Sequence, residues 1–172
     1  MTRRTDELAA VVGSLAGTIS HEAFPKGDLA ELRRLRPESP PPAFWRLLAA
    51  KIPRDMCSDD QAERAWAVVM QGMAIMAPAA HAPGTLLGRA LAGLGDTAES
   101  RLWKLLNSCG EILEDQVRLM ARFLASKERR VDWCGLARLL LARDEERRED
   151  ICRALARSFF YTEIRPETET PE

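Results

Sequence analysis

Apolar residues recur at spacings of three and four along most of the chain, and no stretch alternates apolar and polar positions with period two. Leu113, Val117, Met120, Phe123 and Leu124 form one such stripe, and Ile151, Leu155 and Phe159 form another. On a helix these positions share one face, so each segment can bury one side and leave the other in water. Strand signals are almost absent. The pattern predicts an all-α, compact, bundle-like fold of roughly nine helices.

Punctuation places the elements. A first helix is expected near 5–20. A second follows Asp28, which can cap, with Glu31 three residues on as in a capping box. It stops before Pro37, and PESPPP (37–42) reads as a rigid extended connector. Pro42 suits the first turn of the next helix, which Pro53 ends. Ser58 with Gln61 resembles another capping box and opens a long apolar helix to Ala77. Thr85 and Thr97 are candidate caps for two short helices joined by a Gly-Leu-Gly-Asp-Thr turn. Gly110 precedes a helix over 111–126, Asp132 can cap WCGLARLLLAR (133–143), and Asp144 begins a last helix to about Tyr161. Residues 1–161 then form one helical domain, or two small lobes sharing a core, since domains cluster near 100–150 residues.

The long apolar helix needs a membrane check. No Asp, Glu, Lys or Arg occurs between Arg64 and Arg89, a run of 24 residues. Pro78 ends the helix partway, and Gln71, Gly72, His81 and Pro83 interrupt the run, whereas a span needs roughly 20 continuous apolar residues. A central buried helix is expected instead, with no membrane partner. The N-terminal residues lack the apolar core of a signal peptide, so a cytoplasmic protein is expected.

Charge changes the picture through its distribution. The formal net charge is −1. Residues 162–172 hold four Glu against one Arg, and this Pro- and Thr-rich tail is expected to be disordered. The remaining body is mildly basic, with seven basic and three acidic residues over 26–54 and ten basic and seven acidic over 86–143.

Faces sort these charges. Arg89 falls opposite the Leu87–Ala90–Leu91–Leu94 stripe, and Arg101 and Lys104 fall opposite Leu102, Leu105 and Leu106. Arg118 and Arg122 lie four apart, outward, and Arg138 is outward from Leu136 and Leu140. A solvated helix face has the same pattern, so periodicity alone leaves two readings open: a basic binding surface, or ordinary solubilising charge. Trp45, Trp66, Trp103 and Trp133 sit at stripe edges, where core packing is the default and base stacking the minority reading.

Enzyme chemistry finds no motif. GLGDTA (93–98) matches a loose dinucleotide fingerprint, but a helix rather than a strand precedes it, so no cofactor is expected. Cys57, Cys109, Cys134 and Cys152 have no CxxC pair and only His21 and His81 as possible co-ligands, which argues against zinc and for plain reduced thiols. Acidic residues are many, but nothing selects a two-carboxylate pair.

LRRLRPESPPPAFWRLL (32–48), LGRALAGLGDTAESRLWKLL (87–106) and VDWCGLARLLL (131–141) occur in this order. So arranged they resemble the small subunit of the type I-E CRISPR surveillance complex Cascade, the CasB family, over about residues 27–161. The resemblance implies an all-α, non-enzymatic subunit. It implies two copies side by side among other Cascade subunits, with a basic surface on guide RNA and target DNA that holds an R-loop open without reading sequence. Basic positions matching the family are Arg33, Arg34, Arg89, Arg101, Arg122 and Arg138. The facing argument adds Lys104, Arg118, Arg129 and Arg130. Asn107 and Ala121 depart from the family pattern, standing where relatives can carry arginine. The alternative is a helical protein–protein adaptor without nucleic-acid contacts of its own.

Overall fold

The structure is a computed structural model that describes residues 2–165. Among these residues it is all-α, with nine α-helices and no strand. They are α1 (Thr2–Ile19), α2 (Lys26–Arg33), α3 (Pro42–Lys51), α4 (Asp60–Met76), α5 (Leu87–Leu91), α6 (Asp96–Leu106), α7 (Gly110–Ser126), α8 (Trp133–Leu141) and α9 (Glu145–Ile164), with a 3-10 turn at Arg54–Met56.

Helix α4 is the axis. It is apolar on nearly every side, which requires neighbours all round. Helices α1, α2, α3, α7 and α8 supply them. Trp66, Val68, Val69, Met70, Met73 and Ala74 have no exposure at all. The indole N–H of Trp66 donates to the Met56 carbonyl (2.9 Å), so the buried ring leaves no polar atom unpaired. One continuous core draws buried residues from all nine helices.

Register fixes directions. Arg64 contacts Glu111 and Glu114 while Gln71 contacts Arg118, so α4 and α7 run parallel. Two glycines set close approaches. A β-carbon on Gly72 would sit 2.0 Å from the Trp133 ring, so α8 starts against bare α4 backbone. A β-carbon on Gly88 would sit 2.3 Å from the Phe159 backbone nitrogen, so α5 lies directly on α9.

Several boundaries differ from expectation. Helix α2 starts at Lys26, because the Leu29 N–H already bonds the Pro25 carbonyl (3.0 Å). Asp28 therefore lies inside the first turn, where it pairs with Arg46 (2.9 Å). Glu31 serves α3 instead, accepting from the Ala43 N–H (3.4 Å). The PESPPP segment is entered through a turn, closed by the Ser39 N–H on the Arg36 carbonyl (3.0 Å). Asp59, not Ser58, caps α4, because its carboxylate reaches the Ala62 N–H (3.0 Å). Thr85 and Thr97 are not caps: Leu86 and Gly95 hold those positions, Gly95 at φ 75°. Asp132 and Asp144 do cap, accepting from Cys134 N–H and Arg147 N–H.

Helix α9 passes Tyr161 and continues to Ile164. Tertiary contacts hold this extra turn, since Glu163 Oε1 accepts from the Gly93 N–H (2.8 Å). The rest of the expected acidic tail, residues 166–172, lies outside the described residues. No helix among the described residues is long and apolar enough to cross a membrane.

Candidate nucleic-acid interface

The basic residues singled out from the sequence are distributed unevenly, and Arg118 is the main correction. It is not a solvated outward charge. Its Nε donates to Gln71 Oε1 (2.9 Å), and its side chain is only 16% exposed. It also pairs with Glu114 (3.4 Å) and Asp115, and Glu114 in turn holds Arg64 (2.9 Å). Gln71 completes the set by donating to the carbonyls of Arg33 (3.2 Å) and Leu35 (2.9 Å) at the end of α2. A buried amide needs these partners, and a guanidinium beside it supplies the donor. Facing arithmetic placed Arg118 on the outside because it could not see Gln71, 47 positions earlier in sequence.

One turn beyond Arg118, Arg122 is exposed on the same side of α7. Phe123 follows it and lies mostly buried, with its ring serving as a platform. The Arg101 guanidinium stacks over that ring at 4.9 Å, and the Lys127 ammonium approaches it at 5.9 Å. Arg101 Nε is buried and has no hydrogen-bond partner among the described residues. Lys104 is exposed one turn along α6, and Asp96, Thr97, Ser100, Arg101 and Lys104 line a shallow concavity of about 280 Å³. Arg101, Lys104, Arg122 and Lys127 enter no ion pair among the described residues. Elsewhere, arginines such as Arg64, Arg143 and Arg153 are neutralised by neighbours.

The other expected positions lie on other elements. Arg33 lies at the C-terminal end of α4, where its Nε donates to the Ala74 carbonyl (2.8 Å) and complements the helix dipole. Arg34 is exposed beside Arg36 in a concavity of about 510 Å³. Arg129 and Arg130 are exposed just past α7. The chain turns there through Glu128 at φ 53°, closed by the Arg129 N–H on the Leu124 carbonyl (3.0 Å). Helices α2 and α7 both lie on α4, and α6 lies on α7. Arg89 is exposed on α5, against α9.

Arg138 stands apart. It is half-buried towards the opposite end of α4 and lines a separate cavity of about 330 Å³ with Asp55, Asp59, Arg143, Asp144 and Arg147. That lining is of mixed sign, and Asp59 and Arg143 are already paired (2.6 Å).

Sequence reasoning missed Lys127 and the platform role of Phe123. The signal was available, since Phe123 and Lys127 are four apart on a helix end. Ala121 is fully buried, so this chain presents no surface group at that position. Trp66 and Trp133 are core residues, whereas Trp45 and Trp103 are half-exposed. The four thiols are unpaired, and burial pushes that of Cys134 up to about 12, with Asp132 adding to the effect. Among the described residues no three His, Cys, Asp or Glu side chains gather as around a metal ion.

Comparison with known proteins follows this geometry. The family model for CRISPR-associated protein Cse2 matches residues 28–160. The fold is similar to the crystal structure of CasB from Thermobifida fusca, with a TM-score of 0.70 at 19% identity over 89% of this chain and 97% of that one. It is also similar to a chain of E. coli Cascade bound to a PAM-containing dsDNA target, with a TM-score of 0.63 at 20% identity over 86% and 95%. A Cse2-family CRISPR-associated protein from Thermus thermophilus gives a TM-score of 0.65 at 23% identity over 91% and 97%. At these identities the likeness to solved structures is one of fold. No curated protein matches the chain's sequence.

Proposed function

The chain belongs to the CRISPR-associated Cse2 family, the CasB family of the sequence resemblance, and from that premise we propose that it is a non-catalytic Cascade subunit whose basic ledge contacts nucleic-acid backbones. Arg101, Lys104 and Arg122 form the centre of that ledge, with Lys127 beside them. Arg33, Arg34, Arg129 and Arg130 extend it past the ends of α2 and α7, and Arg89 lies beside it on α5. Arg118 acts from within, holding α7 to α4 and α2. Arg138 belongs to a separate surface. Guide RNA, target DNA, the other Cascade subunits and a second copy of the chain are the partners in this reading, in the cytoplasm.

The observation that carries the reading is Arg101. Its guanidinium is held in place by Phe123, and among the described residues it enters no ion pair and its buried N–H lacks an acceptor. A cation fixed in this way loses little freedom when a phosphate arrives. Contacts of this kind neutralise phosphate without reading bases, so affinity follows salt rather than sequence. R-loop formation exchanges one duplex for another at nearly balanced free energy, so a few backbone contacts to an opened strand can shift it.

The test is binding of labelled single-stranded and duplex DNA by fluorescence anisotropy across a salt series. Affinity is expected to fall log-linearly with salt. An Arg101→Ala/Lys104→Ala/Arg122→Ala variant should lower the slope by about 2–3. A flat salt response, or a triple variant equal to the parent, sinks the interface. Co-purification with a guide RNA and larger subunits tests the assembly itself.

A further inference from the structure

We propose that Trp103 is a stacking site for an unpaired base, and that single-stranded DNA lies along α6 with its phosphates on Arg101 and Lys104. The inference rests on the nucleic-acid reading above and deepens it, naming the ligand of the ledge as an opened strand rather than a duplex.

The tryptophans divide into two kinds. Trp66 and Trp133 are fully buried, and their indole N–H groups donate to the Met56 and Ala80 carbonyls. Trp103 is 47% exposed, and its indole N–H has no acceptor among the described residues. A single exposed apolar side chain is ordinary, so its surroundings decide what it can do.

Those surroundings hold the ring. The Trp103 ring lies 6.3 Å from that of Phe160, Phe160 lies edge-on to Phe159 at 5.2 Å, and Phe159 is buried in the core. The indole is therefore anchored through two further rings while about half of its surface stays in water. A side chain fixed in this way loses little freedom when a flat base settles on it. Such stacking accepts any base, because every base has a π face.

The same face of α6 carries the charges. At about 100° per residue, Lys104 lies between Arg101 and Trp103, about 60° from the first and about 100° from the second. Arg101 is steadied from α7 by Phe123, and Trp103 from α9 by Phe160. Neither Arg101 nor Lys104 enters an ion pair among the described residues. Glu99, one turn before Trp103, repels phosphate, so the backbone belongs on the Arg101 side and the base on the indole. Two cations beside one aromatic ring match what a single strand offers, whereas in a duplex the bases are stacked on one another and out of reach.

Trp45 supplies the contrast. It is exposed to a similar degree and lies edge-on to Phe44 at 5.0 Å, but the adjacent Arg46 is already paired with Asp28 (2.9 Å). It is a half-exposed indole whose neighbouring cation is taken.

The experiment measures binding of three probes by anisotropy: a thymidine oligomer, an abasic strand of the same length, and a duplex. The parent protein should prefer the thymidine oligomer to the abasic strand. Trp103→Ala should lower affinity for the thymidine oligomer at least about fivefold, leave the abasic strand and the duplex unchanged, and leave the salt slope intact because stacking releases no counterions. Trp103→Phe should recover part of the loss, and Trp45→Ala should have no effect. In a Trp45→Phe background, the thymidine oligomer should quench the emission that Trp103→Phe removes. Equal losses on all three probes overturn the stacking, since Trp103 then acts only through the fold. Equal affinity of the parent for the thymidine and abasic strands also overturns it and leaves the backbone reading standing. A uridine oligomer bound more tightly than the thymidine one overturns the assignment to DNA. Emission that changes with protein concentration alone, and not with DNA, overturns it in favour of a second copy of the chain. Failure to bind any probe removes both this inference and the nucleic-acid reading.

Discussion

The Arg101 guanidinium lies over the Phe123 ring, 4.9 Å from its centroid, so a residue of α6 is aimed by a residue of α7. The ring is part of the core on one face and a cation platform on the other. Phe123→Leu separates these roles, keeping the apolar bulk and losing the π face. Stability should fall by only about 1 kcal/mol in urea denaturation. DNA affinity should fall about two- to fivefold, the share of an exposed cation–π contact. Unchanged affinity would mean that Arg101 needs no platform.

Arg118 and Arg122 are four residues apart and should behave oppositely. Arg122→Ala should lower the salt slope of DNA binding by about 1 and leave stability almost untouched. Arg118→Ala strands Gln71 Oε1 and part of the Glu114 charge, and should cost about 3 kcal/mol with no change in slope. Equal slopes lost by both variants would return Arg118 to the binding surface.

Gly72→Ala should be among the most damaging small changes. The new methyl would meet the Trp133 ring at 2.0 Å, and that ring is fixed by its N–H on the Ala80 carbonyl (2.8 Å). A loss of about 3 kcal/mol or more in denaturant unfolding is expected. Adding Trp133→Phe should recover part of it; a mild single variant would show that α8 can slide.

Glu128→Gly should work the other way. Glu128 occupies the left-handed region at φ 53°, where glycine is unstrained. A gain of about 0.5–1 kcal/mol is expected in thermal or urea unfolding. The change also removes a carboxylate between Lys127 and Arg129, so DNA binding should tighten slightly at low salt.

Asp132 links the fold to pH. Burial works against its carboxylate, but hydrogen bonds from Cys134 and from the Gly84 N–H outweigh it and hold the group below its ordinary value. The unfolded chain therefore takes up this proton first. Its contribution is complete above the ordinary carboxylate value of about 3.9 and is lost as pH falls through the lower folded value. Asp132→Asn should flatten that part of the acid unfolding curve, read by circular dichroism. An unaltered acid limb would show that the carboxylate carries no such linkage.

The fold was legible because its signals are local. Pro42, Pro53, Asp132 and Asp144 punctuate helices within one turn of themselves, and the charge-free run after Arg64 marks a helix with no wet face. Caps failed where two candidates were adjacent: Ser58 stands next to Asp59, and only geometry shows which oxygen meets the Ala62 N–H. The ledge was half legible. Outward position follows from periodicity for Arg122 and Lys104, but the fate of a cation depends on partners from distant segments. Gln71 and Glu114 claim Arg118, while Phe123 claims Arg101 without neutralising it.

Helix α5 has five residues and is too short to persist alone. It is held by Gly88 against the backbone of Ser158 and Phe159, and its exit turn by Glu163. During synthesis, everything from α1 to α8 emerges before those partners exist. The corner carrying Arg89 and the start of α6 is therefore the last to close on the nascent chain. Stalled chains ending before Phe159 should show this corner open to protease while the α4–α7 centre is already protected. The corner formed by α5 and the start of α6 is thus completed only once the last helix has been released.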